Sequence, residues 1–180
     1  TVLFFQCHFK HLIFIISVET HMKLLKALCF DDVLVRPQYS EIMSRKDIDI
    51  SVDFGKGISL DVPVISSPMD TVTEVDMATE MSVLGGIGII HRYNSASEQA
   101  TIVEKTLKDD PQRSVGFAVG VGNDMLDRIR KCLNAGANVI CIDVAHGHHA
   151  LMRHALKVIR NTFGSDIHVI AGNVATLEGF

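Results

Sequence analysis

Five clusters of polar and glycine residues each follow directly on an apolar run. They are Ser66-Ser67-Pro68-Met69-Asp70-Thr71, His91-Arg92-Tyr93-Asn94, Gly120-Val121-Gly122-Asn123, Asp143-Val144-Ala145-His146-Gly147-His148 and Gly172-Asn173-Val174-Ala175-Thr176. Parallel α/β sheets collect their working residues where strands end. Asp143 is the most pointed of these. A carboxylate closing a buried strand needs a partner, or its desolvation costs several kcal/mol, roughly 2–7 for a polar group. A ribose diol is one such partner, since carboxylate oxygens accept both hydroxyl protons; a structural Asp capping the next helix is the other reading. Arg92 has the paired N–H donors that hold phosphate or pyrophosphate, or it is a solvated loop arginine. Gly120 and Gly122 permit close backbone approach to a ligand, or simply turn the chain. His146, His148 and His149 lack a fixed acidic third ligand, so no metal is assigned to them.

The apolar runs are Pro63–Pro68, Gly86–His91, Val115–Val121, Asn138–Ala145 and Ile167–Val174. They are β-branched without strict alternation, as in strands covered on both faces. Between them lie segments of helical period. Met125, Leu126, Ile129, Cys132 and Leu133 form one stripe; Leu151, Met152, Ala155, Leu156 and Ile159 form another; Ala96, Ala100, Val103 and Leu107 form a third. Asn123 is expected to cap the first of these helices, with Gly136 at its stop. Ser95 and Glu98 have capping-box spacing, as do Thr73 and Asp76 for a helix around Val75–Leu84. The repeated strand–helix order predicts right-handed βαβ crossovers, hence either a closed barrel or a doubly wound open sheet. The first strand is not followed by G-x-G-x-x-G, which weakens the dinucleotide-fold option.

The chain of 180 residues, 47% hydrophobic and 21% charged, can bury a real core. A net charge of −4 gives no electrostatic case for nucleic acid or an anionic membrane. None of Cys7, Cys29, Cys132 and Cys141 forms a C-x-x-C pair. Cys132 and Cys141 fall at apolar positions and read as small buried hydrophobes. That usage suits a reducing, cytoplasmic compartment. Residues 1–21 read unlike the rest and are expected to be a non-native or disordered leader, with Met22 a plausible start. Their apolar stretch Leu12–Val18 is far shorter than the roughly 20 residues of a membrane span.

Several of these stretches resemble one family. Phe30-Asp31-Asp32-Val33-Leu34 with Arg36-Pro37-Gln38-Tyr39-Ser40, Ser66 to Glu74, Gly85 to Arg92, Asp143 to His148 and Ala171 to Thr176 are similar, in order, to motifs of IMP dehydrogenases and GMP reductases. The resemblance implies an α/β fold, a partial (β/α)8 TIM barrel of about the first four to five βα units, over residues 22–180. It implies an oxidoreductase that acts on IMP with NAD (yielding XMP) or on GMP with NADP in reduced form. It implies Ser67, Met69 and Asn173 at the purine nucleotide, and Asp143, Val144, Ala145, Arg92, Ser44 and Arg45 at the cofactor. A homotetramer, and a potassium ion in the full-length protein only, belong to the same expectation. The family's nucleophilic cysteine is expected beyond Phe180, so no residue here takes that role. Thr106–Arg113 leads straight into the third strand, leaving no room for the paired CBS module that dehydrogenases usually carry. That connection and Ser44-Arg45 lean toward reductases, while Ser67-Pro68-Met69 leans toward dehydrogenases. A non-catalytic nucleotide-binding half barrel is the further alternative.

Overall fold

The computed structural model describes residues 28–180. The leader expected at 1–21 lies outside the described residues. The chain divides into two compact units, whose described parts are residues 28–49 and 50–180. The first holds two 3-10 turns, Phe30–Asp32 and Arg45–Asp47. In one, the Asp32 carboxylate accepts from the Cys29 N–H at 2.9 Å and from its thiol at 3.2 Å. Those bonds, the backbone one foremost, hold the Asp32 carboxyl below its usual range. In the other, Ser44 Oγ accepts from the Lys46 N–H at 3.2 Å as the cap of the turn.

The second unit opens with an antiparallel hairpin, β1 (Val52–Gly55) and β2 (Ile58–Leu60). The remaining elements alternate. They are β3 (Ile65–Ser66), α1 (Val75–Val83), β4 (Ile87–Ile90), α2 (Ala96–Thr106), β5 (Val115–Val119), α3 (Met125–Asn134), β6 (Val139–Asp143), α4 (Ala150–Phe163) and β7 (His168–Gly172). Strands β3 to β7 form one sheet in chain order, and every pairing is parallel. A doubly wound sheet reverses its strand order at a switch point; this one does not.

The two faces of the sheet differ in what covers them. Ile90, Phe117, Val119, Ile140 and Ile142 pack with Val103 of α2, Ile129 of α3 and Ile159 of α4 in one cluster. Ile87, Ile89, Ala118, Val139 and Cys141 form a second cluster with Ile58 and Leu60 of the hairpin. Helices on one face only, with strands in sequence, give the curled sheet of a half (β/α)8 barrel. The hairpin covers the inner face near the strand starts, where Phe54 stacks on His168 at 4.4 Å. Helix α1 comes unusually close to β4. A Cβ on Gly88 would stand 2.6 Å from Ala78 Cα, so only glycine fits there.

All five expected strands are present, each shorter than its apolar run. The Ser95–Glu98 capping box forms in both directions, and Gly136 takes φ +104 just past α3. Two caps differ from expectation. Helix α1 is preceded by Glu74, whose side chain does not cap it. Thr73 Oγ1 instead lies 2.8 Å from Ser66 Oγ and 2.6 Å from the Ser67 carbonyl, tying the loop to its strand. Helix α3 is preceded by Asp124, not Asn123. The Asp124 carboxylate is engaged by Arg128 instead, at 3.1 Å. The hairpin was not anticipated from the apolar periodicity. Its tip, Gly55-Lys56-Gly57, has positive φ throughout.

Candidate functional site

Side chains alternate between faces along each strand. On the inner face, Ala118 and Cys141 belong to the buried layer. Two residues further on, the same alternation brings Gly120 and Asp143 to the rim. The register supports this. Val119 pairs with Ile142, so Gly120 comes beside Asp143 one step on, and Asp143 pairs with Gly172. Three strand ends thus present one row: glycine, carboxylate, glycine.

Arg92 lies over this row. The position a Cβ would take on Gly120 is 3.4 Å from Arg92 Nη1 and 3.6 Å from its Cζ. Tyr93 flanks the guanidinium, with its ring centroid 5.7 Å from Cζ. Arg92 Nε is buried and has no hydrogen-bond partner. Asp143, half-buried, makes no ion pair within 4.0 Å among the described residues. Burial pushes its carboxyl above the usual range, and the nearby Arg92 charge offsets this in part. The expected alternative for Asp143 is excluded, because α4 is capped by His149, whose Nδ1 accepts from the Leu151 N–H at 3.1 Å.

The neighbouring loops are braced by their own backbone. The Val144 N–H donates to Gly172 O at 3.0 Å, and Asn173 N–H and Nδ2 both donate to Val144 O, at 2.8 and 2.9 Å. The Asn173 carbonyl accepts from the Gly147 N–H at 2.6 Å. In the β3–α1 loop, Met69 N–H donates to Ser67 O, while Met69 O accepts from the N–H groups of Val72 and Thr73. Ser67 is half-buried and Met69 exposed at the start of this loop. Ala145 is exposed and Val144 half-buried beyond Asp143. Ser67, Arg92, Asp143, Val144, Ala145 and Asn173 therefore all lie at the carboxyl ends of the parallel strands. Ser44 and Arg45 are in the other unit, exposed, on their 3-10 turn.

A polar network that periodicity did not reveal lies just behind the rim. Gln99 is fully buried, and its Nε2 faces the carbonyls of Ile90, His91 and Ala118 at 3.2, 2.9 and 2.9 Å. Its Oε1 accepts from Arg128 Nη1 at 3.0 Å. Arg128, 6% exposed, also donates to Asn94 O at 2.9 Å, to Asn94 Oδ1 at 3.3 Å and to the Asp124 carboxylate. The available signal was Gln99 itself, a polar residue at an apolar position of the Ala96–Ala100–Val103 stripe. His91 completes the loop. The Tyr93 N–H donates to its Nδ1 at 3.2 Å, so Nε2 carries the proton and donates to Glu74 at 3.0 Å.

No residue of the rim is a thiol. Cys132 and Cys141 are buried, as expected, and burial pushes both thiols up to about 12. Among the described residues no group of three His, Cys, Asp or Glu side chains is placed to hold a metal ion. No helix among them is long and apolar enough to cross a membrane. What the rim does offer is a free buried donor and a half-buried, unpaired carboxylate, over a glycine floor. That donor set fits an anionic ligand that also bears hydroxyl groups, as a nucleotide does.

Known proteins match the same residues. A family model described as IMP dehydrogenase / GMP reductase domain matches residues 27–180. An inosine-5'-monophosphate dehydrogenase of Cryptosporidium parvum is 34% identical, over 85% of this chain and 47% of its own length. One of Bacillus subtilis is 47% identical, over 85% of this chain and 57% of its own. A GMP reductase of Phytophthora infestans is 32% identical, over 89% and 44%. The chain thus spans about half the length of the curated relatives it matches. The Bacillus subtilis alignment extends over 279 positions against 167 for the reductase, so the dehydrogenase carries a long stretch that this chain lacks. The half barrel, its rim and these matches agree: the chain belongs to the IMP dehydrogenase / GMP reductase family.

Proposed function

We propose that this chain forms part of a purine-nucleotide oxidoreductase of the IMP dehydrogenase type, converting IMP, NAD+ and water to XMP and NADH. The observation that carries the reading is the pairing of Arg92 and Asp143. One has a buried Nε without an acceptor, the other a carboxylate without an ion pair, and both lie at the row of strand ends. Asp143 would accept the ribose hydroxyls of the dinucleotide, beside Val144 and Ala145. Arg92 would hold its phosphates. Ser67, Met69 and Asn173 would line the purine nucleotide, and Ser44 and Arg45 would reach the cofactor. When bound, the nicotinamide supplies the hydride acceptor.

The rim residues hold and orient; none of them is a thiol that could supply the nucleophile. A thiol raised to about 12 is protonated near neutral pH, which removes Cys132 and Cys141 from that role. We assign the nucleophile to sequence following Phe180. A homotetramer, a monovalent cation and a cytoplasmic location complete the proposal.

A reductase reading, GMP and NADPH giving IMP and ammonia, is favoured by Ser44-Arg45 and by one connection of the fold. Helix α2 ends at Thr106 and β5 begins at Val115, with no module between them. The discriminating experiment is an absorbance assay of the full-length protein with IMP plus NAD+ against GMP plus NADPH. NADH formation with the first pair is expected. Turnover with the second pair alone would establish the reductase, and turnover with neither would overturn both.

A further inference from the structure

Arg92 makes no hydrogen bond through its Nε, and no ion pair within 4.0 Å is found for it among the described residues. At its head only the Tyr93 ring, 5.7 Å from Cζ, and the charge of Asp143 act on it, and neither is a directional hydrogen bond. Its loop must fix where it sits, and that loop is gripped on both sides. Before Arg92, the His91 carbonyl accepts from Gln99 Nε2 at 2.9 Å. After it, the Asn94 carbonyl accepts from Arg128 Nη2 at 2.9 Å. The two grips are joined by the 3.0 Å bond from Arg128 Nη1 to Gln99 Oε1. Gln99 also donates to Ala118 O, two residues before Gly120, so the same amide fixes the floor beneath the guanidinium.

Burying an arginine is costly, and a hydrophobic pair at this α2–α3 contact would pack without that cost. The fork of Arg128 does what an apolar side chain cannot, since it supplies several donors in fixed directions to one loop. We propose that Gln99 and Arg128 are positioning residues that set Arg92 over Gly120 and beside Asp143. This rests on the reading of Arg92 as a dinucleotide contact.

A double-mutant cycle in the full chain tests it, with NAD+ binding followed by calorimetry. Arg128→Met alone is expected to weaken NAD+ binding by about tenfold and to leave IMP binding near wild type. In an Arg92→Ala background it should weaken NAD+ binding no further, because its effect passes through Arg92. Hydrogen exchange gives a second readout. Peptides covering 91–95 should exchange faster in Arg128→Met, while those covering 139–143 should not. If Arg128→Met does not fold, Arg128→Lys keeps the charge and loses the fork, and the same pattern is expected. Additive losses of NAD+ affinity would make Arg128 merely structural and overturn the positioning role alone. An unchanged NAD+ affinity in Arg92→Ala would overturn the reading of Arg92, and the positioning role with it.

Discussion

The guanidinium of Arg92 rests against the α-carbon of Gly120, with 3.4 Å between its Nη1 and the point where a Cβ would stand. An alanine there would make an ordinary contact. A valine would add two methyl groups into the space the guanidinium occupies. Gly120→Val is therefore expected to weaken NAD+ binding by about tenfold, a ratio worth roughly 1.4 kcal/mol, while Gly120→Ala stays within about threefold of wild type. Equal affinities for valine and wild type would mean that Arg92 is not held over this glycine.

Asp143 gives a pH prediction with a definite sign. Burial, the larger influence, raises its folded-state pKa above the ordinary 3.8. The folded chain thus holds this proton more tightly than the unfolded one, and stability falls as pH rises from about 3.8 through the folded value. Asp143→Asn removes that loss. Its melting temperature should exceed wild type at neutral pH, and the gap should close toward pH 3–4. A gap that widens on acidification would show Asp143 to be stabilised as a carboxylate. For function the change runs the other way. Asp143→Ala in the full-length protein should raise the KM for the dinucleotide by more than that for the purine nucleotide.

Thiol chemistry separates the cysteines. Cys29 is exposed, whereas Cys132 and Cys141 are buried with thiols raised to about 12. Brief iodoacetamide treatment of the native protein at neutral pH, read by peptide mass spectrometry, should alkylate Cys29 and spare the other two. Rapid alkylation of Cys141 would mean that the inner layer of the sheet is open to solvent.

Gly88 tests the contact between α1 and β4. A Cβ there would stand 2.6 Å from Ala78 Cα and 2.9 Å from its Cβ. Backbone must move to accept it, so Gly88→Ala should cost about 1–3 kcal/mol of unfolding free energy in a denaturant titration. A neutral outcome would mean that α1 slides freely on the sheet.

What was legible in the sequence follows from the physics of each signal. Central strands buried on both faces leave unbroken apolar runs, so Gly86–His91 and Val115–Val121 announced β4 and β5. The rim followed because polar residues ended each run. Ser95 and Glu98 were readable as a cap, since both partners lie within one turn. Thr73 was not, because its hydroxyl serves a tertiary contact with Ser66 rather than the helix beside it. Gln99 and Arg128 were missed for a related reason. Periodicity sorts residues by polarity, whereas these two are buried through hydrogen bonds between α2, α3 and the strand ends. The β1–β2 hairpin was passed over because Asp53, Gly55, Lys56, Gly57 and Ser59 interrupt its apolar residues, so no unbroken run marks it.

The connection from Thr106 to Val115 has one more implication. It enters β5 at the start of the strand, whereas Arg92 and Asp143 stand at strand ends, about 17 Å away along a five-residue strand. Polypeptide can therefore be gained or lost at that junction without disturbing the rim of strand ends. Insertions at that junction leave the spacing of Gly120, Asp143 and Gly172 unaltered. Any such insertion would stand the full length of β5 away from Arg92 and Asp143.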